Sequence, residues 1–155
     1  MTDLDGALVS IGQGGLVMTP LHVAMMASAV ANNGKMMKPY LVETVTTENG
    51  TVIGQTKPSV LYDSIGTACA DYIEDMMIGV VEDGTGTGAQ ISGITVAGKT
   101  GTAENETDKD HAWFVGYAPV ENPTICVAVV LENAATSGGK SAVPIAKNII
   151  RKFLK

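Results

Sequence analysis

The sequence predicts an α+β fold, an antiparallel sheet with a helix packed on it and two helices upstream. Three observations carry that expectation. Two nearly continuous apolar runs, Trp113-Phe114-Val115-Gly116-Tyr117 and Ile125-Cys126-Val127-Ala128-Val129-Val130-Leu131, suit central strands covered on both faces. Segments with helical apolar spacing lie before and after those runs. The chain has 155 residues and is 45% hydrophobic, enough for one domain with a buried core.

The elements follow in order. Residues 1–18 are Gly-rich and read as irregular, with Gly12-Gln13-Gly14-Gly15 as a flexible hub. A helix is expected over 19–33, because Thr19 suits an N-cap, Pro20 suits the first helical position and Gly34 suits the stop. Residues 40–54 read as a hairpin around a two-residue Asn49-Gly50 turn. A second helix is expected over 64–82, with Ile65, Cys69, Tyr72, Met76 and Val80 as its apolar face. A loop, Thr85-Gly86-Thr87-Gly88-Ala89-Gln90, separates it from three strands at about 93–102, 111–119 and 124–132. A last helix is expected over 141–154, capped by Ser141, with Pro144 in its first turn and Ile145, Ile149 and Phe153 as its stripe. Lys147, Arg151, Lys152 and Lys155 place positive charge toward its end, which complements the helix dipole.

Composition removes several function classes. A net charge of -6 argues against a nucleic-acid surface, which needs clustered Lys and Arg. No apolar run approaches the roughly 20 residues of a membrane span, so a soluble segment is expected. The acidic start, Met1 to Asp5, lacks the basic and apolar regions of a signal peptide. Cys69 and Cys126 read as buried small hydrophobes, and two Cys and two His are too few for a zinc site. The charged fraction of 17% is low against the usual ~25%. With a mean hydropathy of +0.20, this suggests apolar surface meant for a partner.

One motif is a trap. Gly93-Ile94-Thr95-Val96-Ala97-Gly98-Lys99-Thr100 matches the phosphate-loop pattern literally. That chemistry needs a strand before the loop and a helix after it. Here the four middle residues alternate like a strand, and a polar, acidic stretch follows. The better reading makes Lys99-Thr100-Gly101-Thr102 the end of a strand. Lys99 and Gly101 then share one face and Thr100 and Thr102 the other. Lys99 supplies positive field, and the two hydroxyls can donate to a carboxylate. Gly101 lets a substrate backbone approach closely, and the Thr102 N–H can point into an oxyanion hole.

Around that box the chain resembles the penicillin-binding proteins, the serine D,D-transpeptidases of bacterial cell-wall synthesis. Ser10-Ile11-Gly12-Gln13-Gly14 with Thr19-Pro20-Leu21 is similar to the family's S-I-G-Q-G and T-P-L segment. Gly84-Thr85-Gly86-Thr87-Gly88-Ala89 is similar to its G-T-G-x-A loop. Ala97 to Glu104 resembles the K-T-G box, and His111 to Pro119 the strand after it. The likeness is strongest to the class B, monofunctional type. It implies a β-lactamase/transpeptidase-like fold and acyl transfer through a serine acyl-enzyme. The partners it implies are a peptidoglycan stem peptide ending in D-Ala-D-Ala and β-lactams, with no metal and no other cofactor. It assigns Lys99 to electrostatics and proton transfer beside the serine, and Thr100 and Thr102 to the substrate carboxylate. It places the Thr102 N–H in the oxyanion hole and lays the substrate along the Lys99–Thr102 edge.

The family uses three boxes and this chain carries one. No Ser is followed two residues later by Asn. The S-x-x-K at Ser137-Gly138-Gly139-Lys140 lies after the K-T-G box, and its two glycines disfavour a helical turn, so it reads as loop. The expectation is the C-terminal portion of a transpeptidase domain over residues 1–155. Nucleophile and first strands lie upstream, the parent is membrane-anchored and the domain extracytoplasmic. The chain alone is then inactive and prone to self-association through a bare strand edge. A β-lactamase or β-lactam sensor of the same fold, and a non-catalytic peptide-binding module, are the alternatives. Residues Thr102-Ala103 after K-T-G favour the transpeptidases over β-lactamases. Trp113, Phe114 and the paired methionines read as core. Glu104, Glu106, Asp108 and Asp110 read as a solvated loop.

Overall fold

The computed structural model describes residues 3–105, 109–134 and 136–155. Helix α1 (Asp3–Ser10) replaces the irregular start that the glycines suggested. Gly12, at φ 77, ends it, and the Gly12 and Gln13 N–H groups close on the Val9 and Leu8 carbonyls. Helix α2 (Pro20–Ala31) has the predicted start: Thr19 Oγ1 accepts from the His22 N–H, and Pro20 follows it. Gly34, at φ 87, terminates it and lies where any Cβ would come 2.0 Å from the Ile65 carbonyl oxygen.

An arm rises between α2 and the next helix. Strands β1 (Lys35–Met37) and β4 (Val60–Asp63) pair at its base, and β2 (Thr44–Thr46) pairs with β3 (Val52–Gln55) beyond. The turn is not the two-residue form. Thr47 and Thr51 close it and only Gly50 takes a positive φ, so Glu48, Asn49 and Gly50 form a three-residue loop. β1 and β4 are too short to show an alternating pattern.

Helix α3 (Thr67–Glu82) turns a different face inward from the one expected. Ala70, Met77 and Val81 are buried and Ile73 packs with them, while Cys69 is exposed, Tyr72 is 72% exposed and Met76 63%. Opposite its charged face, the apolar arc of α3 is wide enough to hold two stripes, and the sequence does not reveal which one meets the core. Gln90, beyond a short 3₁₀ turn (Thr87–Ala89), donates to the Val81 and Glu82 carbonyls and so closes the end of α3.

The sheet is an antiparallel meander of β5 (Ala97–Ala103), β6 (His111–Ala118) and β7 (Ile125–Leu131), in the order β5-β6-β7. The first strand starts later than 93. The Thr95 carbonyl accepts from the Val120 N–H and its hydroxyl donates to Glu121, so this segment ties to the β6–β7 turn. β6 is central as predicted, whereas β7 is an edge among the described strands. Its apolar run is explained by its two covered faces, since α4 (Gly138–Phe153) contacts it on one side and α2 on the other.

Helix α4 begins three residues before the expected start. Ser141 lies inside it and donates back to the Ser137 carbonyl, and Pro144 is interior. Gly138 and Gly139 are helical, against the expectation of a loop, and contact explains why. A Cβ on Gly138 would lie 2.2 Å from the Trp113 carbonyl oxygen and 2.5 Å from that of Gly101. One on Gly139 would lie 2.7 Å from the Thr85 carbonyl oxygen. The helix can approach the strands only without side chains there. Its buried face is Ala142, Val143, Ala146 and Ile150, so Ile145, Ile149 and Phe153 stand outside, the last 62% exposed. Val143 meets the 3₁₀ turn at Gly88, and Lys147 borders the segment leading into β5. Ile145 and Ile149, each two residues away and so roughly 160° round the helix, therefore face the β7 side.

Two clusters fill the layers. Phe114, Val127, Ala142, Val143, Ala146 and Ile150 pack between sheet and α4. The Phe114 ring lies over the facing pair Gly98 and Gly116, where a Cβ on Gly98 would come within 2.5 Å of it. On the other face Ala27, Met77, Ala97 and Tyr117 pack together, and the Tyr117 hydroxyl donates to Glu74 at 2.8 Å.

Two predictions follow from this packing. Gly138→Ala should cost about 1–3 kcal/mol by overpacking against backbone. Gly79→Ala, in α3 with open space around it, should add about 0.5–1 kcal/mol. Urea denaturation of both variants checks the opposite signs. Burial, then the bond to Glu74 and its charge, push the Tyr117 phenol above its ordinary value of 10.0. The folded state then keeps a proton that the unfolded state loses. Stability is full below about pH 10 and falls as pH rises past it. Tyr117→Phe should flatten that alkaline decline, as denaturant midpoints between neutral and strongly basic pH will show.

Candidate active site

The four residues of the predicted site lie in β5, which among the described residues pairs only with β6. Lys99 faces Val115, Thr100 faces Phe114, Gly101 faces Trp113 and Thr102 faces Ala112. Directly opposed residues share a face. Thr100 and Thr102 are thus on the α4 side, with Lys99 and Gly101 on the α2 and α3 side. Trp113 is half-buried beside Gly101, where a Cβ would come 3.2 Å from the Trp113 Cβ. It lines this face, whereas Phe114 is core.

Several segments converge on the strand. Thr85 Oγ1 and Thr100 Oγ1 share a hydrogen bond of 2.5 Å, which joins the G-T-G loop to β5. The first turn of α4 sits against Gly101 and Thr85 through its two glycines. Lys99 Nζ donates to the Thr100 carbonyl at 2.7 Å. Gln13 Nε2 donates to the Thr102 carbonyl at 3.3 Å. Thr85 and Gln13 belong to motifs visible in the sequence, yet spacing alone gave them no role.

The other candidates lie elsewhere. Ser137 is the cap residue of α4 and makes no side-chain capping bond, and Lys140 is exposed one turn on. At the far end of β5, His111 Nδ1 accepts from the Asn133 N–H, and the Asn105 amide reaches Asn133 Oδ1. Glu104 and Asp110 are in the described part of the acidic loop, while Glu106 and Asp108 lie outside the described residues. Two open cavities, about 660 and 540 Å³, border Ile91–Val96 and the start of β7, and neither includes Lys99, Thr100, Gly101 or Thr102. Among the described residues the candidate site is an open strand edge that lies outside both of these cavities.

The family pattern described as the penicillin binding protein transpeptidase domain matches residues 2–151. The chain belongs to the penicillin-binding protein transpeptidase family. It is 35% identical over 154 residues to the peptidoglycan D,D-transpeptidase PbpA of Mycolicibacterium smegmatis, covering 94% of this chain and 31% of that one. It is 35% identical over 171 residues to the peptidoglycan D,D-transpeptidase MrdA of Haemophilus influenzae, covering 97% of this chain and 26% of that one. Penicillin-binding protein A from M. tuberculosis, solved as a ceftriaxone acyl-enzyme, superposes with a TM-score of 0.89 at 33% identity, over 96% of this chain and 35% of that one. The chain thus spans about a quarter to a third of the length of these transpeptidase-family proteins.

The hydroxyl pair gives a test of the site's assembly. Thr85→Val and Thr100→Val should each lower stability by about 0.5–1 kcal/mol. Because they remove one shared bond, the double variant should cost less than the two added together. Strict additivity in chemical denaturation would show that the hydroxyls are not bonded to each other.

Proposed function

We propose that this chain supplies the K-T-G strand of a peptidoglycan D,D-transpeptidase. The observation that carries the proposal is the open edge of β5, where Lys99, Thr100, Gly101 and Thr102 stand exposed or half-buried. A stem peptide ending in D-Ala-D-Ala lies along this edge. Its carboxylate takes hydrogen bonds from Thr100 and Thr102 in the field of Lys99, and the Thr102 N–H polarises the scissile carbonyl. β-Lactams occupy the same place. The serine that attacks, its activating lysine and the S-x-N box are carried by residues outside these 155. The parent protein is membrane-anchored and this domain works outside the cytoplasm; among the described residues no helix is long and apolar enough to cross a membrane.

The test is an NMR titration of the chain with an N-acylated D-Ala-D-Ala peptide. Amide signals of Lys99 to Thr102 should shift, and Lys99→Ala should weaken binding roughly tenfold or more, the size of a lost charge-assisted contact. Equal binding of the C-terminally amidated peptide would sink the carboxylate assignment. Mass spectrometry after incubation with penicillin should find no adduct, and an adduct on Ser137 would overturn the placement of the nucleophile.

The same reading accounts for the apolar surface. The open edge of β7 and the outer stripe Ile145, Ile149 and Phe153 adjoin, and in the longer protein the rest of the domain covers them. In the 155-residue chain they drive self-association by edge pairing. Light scattering should detect dimers or larger species that Ile149→Lys diminishes. A monomer at high concentration would refute this.

A further inference from the structure

The S-I-G-Q-G motif carries an arrangement that the proposed acyl transfer does not use. Among the described residues β5 pairs with β6 on one side only, so alternate residues turn their carbonyls to the open edge. Thr100 and Thr102 have the same parity, and both carbonyls already hold donors, Lys99 Nζ and Gln13 Nε2. Gln13 is aimed there by a built turn. Gly12 and Gly14 flank it at φ 77 and 73, its own N–H closes on the Leu8 carbonyl, and a Cβ on Gly14 would come 3.1 Å from Leu8 Cβ. The side chain is half-buried, unlike its exposed neighbours Gly12 and Gly14.

We propose that the Gln13 carboxamide is an internal stand-in for a substrate amide. A peptide strand added to β5 must give an N–H to the Thr102 carbonyl and take the Thr102 N–H in return. Gln13 fills the first of those two positions and leaves the second open. An incoming peptide therefore displaces one neutral hydrogen bond before it gains its own. A ligand that offers only an acceptor at this position meets no such competition. Gln13 thus sets a threshold that every amide donor at this position must overcome, and it shields the edge from unwanted strand pairing when no ligand is bound. This inference rests on the reading of β5 as the peptide edge.

The experiment compares the wild-type chain with Gln13→Ala and Gln13→Met, titrated with the N-acylated D-Ala-D-Ala peptide. Met keeps the size and loses the donor without adding charge. Both variants should bind roughly three- to tenfold more tightly, the worth of one neutral hydrogen bond removed from competition. The Gln13 side-chain amide signals of the wild type should move as peptide is added. Equal or weaker binding by both variants overturns the stand-in and leaves the peptide edge standing. Tighter binding by Ala alone, with Met like wild type, assigns the effect to bulk and also overturns it. If none of the three binds peptide, the peptide edge itself fails, and the stand-in with it.

Discussion

The structure depends on a backbone contact. The first turn of α4 rests directly on the carbonyls of Trp113, Gly101 and Thr85, with no side chain between. Three separate stretches of chain meet there: the K-T-G strand, the strand beside it and the G-T-G loop. Each is held by the presence of the others, because interiors at close packing leave no room to shift by a methyl group. The Thr85 and Thr100 hydroxyls add a directional bond to this contact. Phe114 extends it along the sheet by lying over Gly98 and Gly116, so the strand that carries Lys99 is pinned near both ends.

The candidate site is the most legible part of the sequence. Lys99, Thr100, Gly101 and Thr102 are contiguous, so their chemistry and alternation could be read without knowing the fold. The central strand and the Thr19-Pro20 helix start were equally plain, since each rests on local rules. Contacts across long separations were not. Gln13 and Thr102 are 89 positions apart, and no spacing rule links them. The helix faces were misassigned for a physical reason. Against the sheet, α4 needs small residues such as Ala142 and Ala146 for close approach, and its bulky Ile145, Ile149 and Phe153 point elsewhere. A stripe of large apolar residues marks a face that wants cover, and in α3 and α4 that face differs from the one this chain covers itself.

That distinction explains the composition. The low charge and positive mean hydropathy come from helices whose apolar arcs extend beyond the residues they bury and from an exposed arm whose Leu41, Val52 and Ile53 face solvent. The interior itself is modest, built largely from alanine, valine and the rings of Phe114 and Tyr117. Among the described residues Tyr117 is the one large fully buried side chain with a polar end, and it spends that end on Glu74 of α3. That bond adds a fixed direction to the apolar packing of Met77, Val81 and Ile73 that holds α3.

The alternation of β5 also acts as a ruler. Thr100 and Thr102 present their edge groups about 6.8 Å apart, two residues of an antiparallel strand. Any extended chain laid beside them is sampled at that interval and not between. The residue skipped is read only through its side chain, against whichever face of the sheet it meets. One face offers Lys99 and the half-buried Trp113, and the other offers the hydroxyls of Thr85 and Thr100. Inverting the handedness of that single residue would swap a cation and an indole for two alcohols. A plain strand edge can therefore sense stereochemistry without a pocket.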